Sequence, residues 1–370
     1  MKTIKLGKLT LPEFAAEKAI GVRGDGSLMY AKEVVSGKMP PKFGMDLTSL
    51  DNIAKLAIQR IKLEPELKIG VIEAGTYSKA EIISHIENQT SFGRQIADAE
   101  VKYAEYLLNQ MLGKISIDSL KFVMPKAEVL PTIPTEWKII PKAQWKLFSN
   151  KVLFCENTTD SVTSEVATYR QNNVHPVFAS RGFEVIKLIG VNDNRTNFAA
   201  RAKESRVTYI SGIGHGNYDN YTGHSNSSLL RVGSYDSSEV DNSSIHFLSC
   251  RTGRDLGPNT VSKGAFSYMG YTENFTFTWA NSTLFWIADS QYDISMALGR
   301  TVQQSVADSV AQFNVGMAAV PGTTTAALLM QDRDLMRSAM SGAAWGSKTA
   351  RIQPYVFYHM TLADFTMKRL

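Results

Sequence analysis

The 370-residue sequence predicts an α/β fold: a doubly wound, mainly parallel sheet with helices on both faces, preceded by a helix-rich α+β region. Three observations carry that reading. Short apolar runs alternate with helix-compatible stretches over residues 151–213, which is the spacing of strand, helix, strand, helix, strand. Two more such runs follow at 244–250 and 265–271. Before them, a proline-interrupted break at about 114–149 separates a stretch whose apolar residues recur with helical rather than alternating period.

The elements follow in order. Over 48–62, Leu50, Ile53, Leu56, Ile58 and Ile61 predict a helix. A longer helical stretch starts at Ser78, where Ser78 and Glu81 form the Ser-x-x-Glu capping signature and the apolar stripe runs from Ile82 to Met111, broken near Gly93. Pro125, Pro131, Pro134 and Pro141 rule out a long helix in the connector. The predicted organisation is therefore a helix-rich regulatory or assembly domain at 1–113, a connector at 114–149 and a sheet domain at 150–370. Within the last, Lys151–Glu156, Phe183–Ile189, Arg206–Ile213, Ser244–Cys250 and Ala265–Tyr271 read as strands, and 162–180 and 194–205 as the crossover helices. Helical segments at about 282–316 and 323–341 precede a strand-like run at Tyr355–Met360.

Composition narrows the function. With 44% hydrophobic and 20% charged residues the chain has the balance of a globular protein with a sizeable core. The net charge of +5 is spread along the chain, whereas a nucleic-acid footprint would be clustered, so no nucleic-acid partner is expected. Two cysteines cannot build a disulfide framework. Residues 1–30 lack a signal-peptide core, and no apolar run approaches the roughly 20 residues that span a bilayer. A cytoplasmic protein without a membrane partner is the expectation. The Asn-x-Ser/Thr triplets between Asn157 and Asn281 then read as polar loops, not glycosylation sites.

The residues that carry chemistry stand at strand ends. The third strand ends in Gly212-Ile213-Gly214-His215-Gly216-Asn217 and the fourth in His246-Phe247-Leu248-Ser249-Cys250-Arg251-Thr252-Gly253. If the strands are neighbours, His215 and Cys250 emerge at one edge, where glycines let a substrate backbone approach. A thiol and an imidazole so placed suit nucleophilic attack on a peptide carbonyl, with Cys250 as nucleophile and His215 as proton carrier. The backbone N–H groups of Gly216 and Cys250 are the natural oxyanion donors. A helix opening at Gly257-Pro258-Asn259, together with Arg251, is expected to favour the Cys250 thiolate.

A hydrophobic strand ending in His-Gly and, some thirty-odd residues later, another ending in Ser-Cys resembles the caspase-like cysteine peptidase clan. The continuation through Leu256-Gly257-Pro258, Gly264-Ala265-Phe266 and Gly270-Tyr271 is most similar to its CHAT, gingipain-like and clostripain-like branches. The resemblance covers about 150–300 and leaves residues 1–140 untouched. It implies a bacterial cysteine endopeptidase with a Cys250–His215 dyad, no obligatory third member, a protein or peptide substrate, and in many members latency; some relatives depend on calcium, but no calcium loop is recognisable here, so no cofactor is expected. It also implies a pocket, built after the first strand and near the catalytic strands, whose acids select Arg or Lys. Asp160, Glu273 and Asp219 are the candidates here. The Asn/Ser-rich segment 217–244 is expected to be a mobile activation loop.

Competing readings remain at this stage. Cys155, inside an apolar strand, reads as a packed thiol. A zinc site using His215, His224, His246 and Cys250 is disfavoured because four strand residues separate His246 from Cys250 by roughly 13 Å. Neither a Gly-x-Ser-x-Gly elbow nor a dinucleotide-binding glycine spacing is present. A catalytically silent scaffold with the same fold, binding a regulatory protein partner through residues 1–113, is the alternative from a different class.

Overall fold

The computed structural model describes residues 2–6, 9–35, 49–112 and 150–353; the connector at 114–149 and the run Tyr355–Met360 lie outside them. The central sheet has six strands: β1 (Lys151–Glu156), β2 (Glu184–Ile189), β3 (Val207–Ile213), β4 (Ser244–Leu248), β5 (Ser267–Tyr271) and β6 (Met336–Arg337). Their spatial order is β6-β5-β4-β3-β1-β2. All pairs are parallel except β5 with the short edge strand β6. The chain thus begins in the interior at β1, steps out to β2, and crosses back to β3. This reversal opens a crevice between the carboxyl ends of β1 and β3, where doubly wound sheets hold their chemistry.

Period-two alternation sorts the strand residues to two buried faces. Val152, Phe154, Tyr209, Ile213, Leu248, Met269 and Tyr271 join one core cluster. Leu153, Cys155, Ile210, Ile245, Phe247 and Tyr268 join the other. Helices Ser161–Asn173 and Ser282–Ala297 supply Val162, Val166, Phe285 and Trp286 to the first face. Helices Arg195–Ala202 and Leu256–Ser262 supply Phe198 and Leu256 to the second.

Three expectations are corrected. The segment 282–316 is two helices, Ser282–Ala297 and Val302–Ala319, because Gly299 turns left-handed at φ +76° and Thr301 caps a new start with Gln304. The segment 323–341 is helical only over Thr324–Leu335 before β6 takes over. Residues 217–244 are not a loose loop: Gly216–Asn217, Asn220–Thr222 and Ser228–Arg231 form an antiparallel sheet, and Tyr221, Leu229, Leu230 and Val240 are fully buried.

In the N-terminal region the capping box at Ser78 is present, with Ser78 N–H donating to Glu81 Oε2 at 2.7 Å, and it starts the helix Lys79–Glu87. The stripe breaks at Asn88–Thr90, and Thr90 caps the helix Ser91–Met111. Gly93 lies inside this second helix, where a side chain would meet His85 carbonyl oxygen at 2.0 Å, so the glycine lets the two helices close on each other. Strand Lys68–Val71 pairs with Gly75–Ser78 on one side and with Thr276–Thr278 on the other. Leu11, Ile69, Phe92 and Tyr103 share one core cluster with Phe154, Phe285 and Leu329. No helix among the described residues is long and apolar enough to cross a membrane.

Candidate active site at the switch point of the sheet

Register sets the two predicted residues at the same edge of the sheet. In the parallel β3–β4 ladder, Ser244 stands opposite Tyr209 and Leu248 opposite Ile213. His215 and Cys250 each lie two residues beyond that last pair, on neighbouring strand ends about 4.8 Å apart in the ladder direction. The hydrogen bond from Gly214 N–H to Leu248 carbonyl, at 3.5 Å, carries the contact past the strands. Gly216 sits directly on the cysteine turn: a Cβ there would fall 2.0 Å from Ser249 Oγ and 2.6 Å from the Cys250 carbonyl.

Asp160 comes to the same edge from β1. It caps the helix Ser161–Asn173, its Oδ1 accepting the Val162 and Thr163 N–H groups at 2.9 and 3.1 Å. Its other oxygen lies 2.7 Å from His215 Nε2. Burial pushes the carboxyl up, but the His215 and Thr163 hydrogen bonds outweigh it and hold Asp160 at about 2. The opposite ring nitrogen, Nδ1, is buried without a hydrogen-bond partner. One nitrogen is thus anchored to a carboxylate and the other is left for a proton.

Cys250 is fully buried. Burial, with the charge of Glu73 added, pushes its thiol up to about 12, against a smaller lowering pull from the Phe275 and Glu73 backbone and from Arg251. This runs against the expected thiolate: the seven-residue helix starts only at Leu256, and the lowering effect of Arg251 is smaller than the effect of burial. Arg251 takes a left-handed φ of +62°, and its guanidinium lies 3.8 Å from Glu73 and 4.0 Å from Glu273. Glu73 belongs to the tight turn between strands Lys68–Val71 and Gly75–Ser78, a segment in which the sequence offered no sign of chemistry.

Of the three acids expected to line a pocket, Asp160 is bound to His215, Glu273 faces Arg251, and Asp219 pairs with Arg231 at 3.3 Å. Cys155 is buried in β1. His224 is 3.3 Å from Thr159 Oγ1.

His246 is not near Cys250 in any shared site; it joins a buried charged network on the first face. Its Nδ1 lies 3.0 Å from Asp293 Oδ1 and its Nε2 3.2 Å from Asp289 Oδ1. Arg170 donates to Asp293 at 2.7 Å, to Glu156 at 3.1 Å and to Ser211 at 2.7 Å, while His175 meets Glu156 at 2.8 Å. Burial pushes His246 down, but Asp293 and Asp289 outweigh it and raise it to about 9. The donor atoms of His246, Asp289 and Asp293 lie within 4.8 Å of one another, yet they bond to each other beside the Arg170 cation. That is an ion network, with no open ligand set for a metal.

No family model matches the sequence, and no curated protein matches it significantly. Among solved structures the chain is similar to gingipain R, an Arg-specific cysteine proteinase, aligned over 58% of this chain at 11% identity and a TM-score of 0.36. The match spans about half of that protein, 49% of its chain. At this level of likeness the chemistry has to be read from the site's own geometry.

Proposed function

We propose that the chain is a cysteine endopeptidase of the caspase-like class, with Cys250 as nucleophile and His215 as its proton carrier. The observation that carries the reading is the ladder register that sets His215 and Cys250 at matching positions beyond β3 and β4, with an anchored imidazole whose Nδ1 is free. Once Cys250 has given its proton to His215, the thiolate attacks the peptide carbonyl carbon and the C–N bond breaks. The leaving amine takes the proton from His215, and a water, deprotonated by the same nitrogen, then cleaves the thioester to acid and thiol. The N–H groups of Gly216 and Cys250 would hold the oxyanion.

Asp160 acts as a positioning residue that fixes the His215 ring and its tautomer, in place of the pocket role read from the sequence. A preference for Arg or Lys before the cut then rests on Glu273, whose contact with Arg251 is the loosest of the three acid pairs. The sealed thiol supports a latent form, and it equally favours a second reading, a silent scaffold.

The test is cleavage of a peptide library varied at the residue before the cut, by wild type, Cys250→Ala and His215→Ala, with and without limited proteolysis. Cleavage lost in both variants upholds the dyad. No cleavage under any activating treatment favours the scaffold, and activity that survives Cys250→Ala points to a different catalytic site.

A further inference from the structure

The edge of Thr276–Thr278 is an extended groove already filled by the chain itself. Val71 pairs with Thr276, Gly70 with Phe277 and Ile69 with Thr278, antiparallel. The line continues as Ile72 N–H donates to the Phe275 carbonyl at 3.5 Å, and it ends at Glu73, which lies 3.8 Å from Arg251, the neighbour of Cys250, while Ile72 and Cys250 share one core cluster. Ile72 is fully buried, and Glu73 reaches toward Arg251. A strand running along a sheet edge toward the nucleophile is the geometry of a bound polypeptide, with main-chain hydrogen bonds for affinity and side chains for selection.

We infer that residues 68–75 are an internal occupant of the peptide groove, a strand that holds the position of substrate and must leave Thr276–Thr278 before another polypeptide can reach Cys250. The inference rests on the peptidase reading for what the groove is for.

The docking is specific in its details. Gly70 has no side chain where one would strike the Phe277 ring at 2.1 Å, so the ring lies flat across the strand and packs on Trp286 at 4.6 Å. Trp279 Nε1 donates to Thr76 Oγ1 at 2.9 Å from the far side of the turn. Gly75, at φ +87°, closes the turn in open space. The hold at the tip is weaker. Glu73 is one-third exposed and meets Arg251 at ion-pair rather than hydrogen-bond distance. Ile69, Val71 and Ile72 are themselves core members, so displacement starts at the tip around Glu73 and Gly75, where the packing is loosest.

The groove takes an extended, unfolded polypeptide stretch; a folded protein would have to offer a displaced strand or terminus. Reversing the charge at Glu73 sets two cations, Arg251 and the new side chain, against each other and loosens the tip without touching the core.

The experiment is iodoacetamide labelling of the full-length protein, with Cys250 and Cys155 followed separately by mass spectrometry and hydrolysis of an unstructured peptide followed in parallel. The Cys250 thiol is expected to react at least about 10²-fold more slowly than free cysteine in wild type. It should react about 10-fold faster in Glu73→Arg, and faster in Thr76→Val, while Cys155 stays protected as the sign that the fold is intact. Wild-type Cys250 labelling at the rate of free cysteine, or folded Glu73→Arg and Thr76→Val proteins with unchanged rates, overturns the inference. Faster Cys250 labelling without any peptide hydrolysis upholds the occupied groove and overturns the peptidase reading.

Discussion

His215 and His246 stand on neighbouring strands, each against an aspartate, and they have opposite characters. His246 has both ring nitrogens on carboxylates inside a network with no exposed member among His246, Asp289, Asp293 and Arg170. His215 has one nitrogen on Asp160 and the other unused, and its side chain is 15% exposed. A saturated imidazole is a structural cation, since moving its proton would leave two buried carboxylates facing each other. A half-saturated one can take a proton and return it. Residue type and an acidic neighbour do not tell the two histidines apart; the spare nitrogen does.

The largest expected effect separates the two directly. His215→Gln, made in the Glu73→Arg background so that the groove is open, should lower peptide hydrolysis at least about 10⁴-fold while leaving the urea midpoint nearly unchanged. His246→Gln should do the reverse, costing about 3–5 kcal/mol of stability because it strands buried carboxylates. Equal stability losses in the two variants would erase the distinction.

The pH dependence comes next. The folded His246 titrates at about 9, above the roughly 6.5 of an unfolded histidine. Its contribution is fully present below the lower value and is lost as pH rises through the higher. On the order of 3 kcal/mol should disappear between pH 6 and 10 in urea titrations. His246→Gln should flatten that slope and His215→Gln should not.

Asp160→Asn sharpens the functional side. Asparagine still accepts the Val162 and Thr163 N–H groups as a helix cap, so stability should hold. Loss of the charge behind His215 should lower kcat about 10²-fold with KM little changed, read in steady-state kinetics. An unchanged kcat would remove Asp160 from the site. The smallest effect is a control away from both histidines: Ser78→Ala, which breaks the capping box, should cost about 1 kcal/mol in thermal unfolding and leave the pH slope as it was.

Much of the sheet was legible, because buried parallel strands are short apolar runs between helix-compatible stretches. β1 falls on its predicted span and β2 and β3 within one residue. His215 and Cys250 were legible for a related reason: each follows such a run in a glycine-bearing turn. What the sequence hid was pairing at a distance. Asp289 and Asp293 are one turn apart on a helix whose apolar majority reads as plain core, and nothing local ties them to His246 or to Arg170. Asp160 read as a pocket acid, with its tie to His215 hidden, because that partner lies 55 positions away. Glu73 sits in a turn with no chemical signature, and only the ladder to Thr276–Thr278 carries it to Cys250.

That ladder joins residues about two hundred positions apart, with a consequence for how the protein is born. During synthesis the amino-terminal half emerges first, so the segment 68–78 is outside the ribosome before Cys250 and the strand Thr276–Thr278 exist. The groove therefore meets its own strand, tethered and at high effective concentration, before any foreign chain can compete for it. Cys250 is chaperoned from its first moment by a piece of sequence made ahead of it.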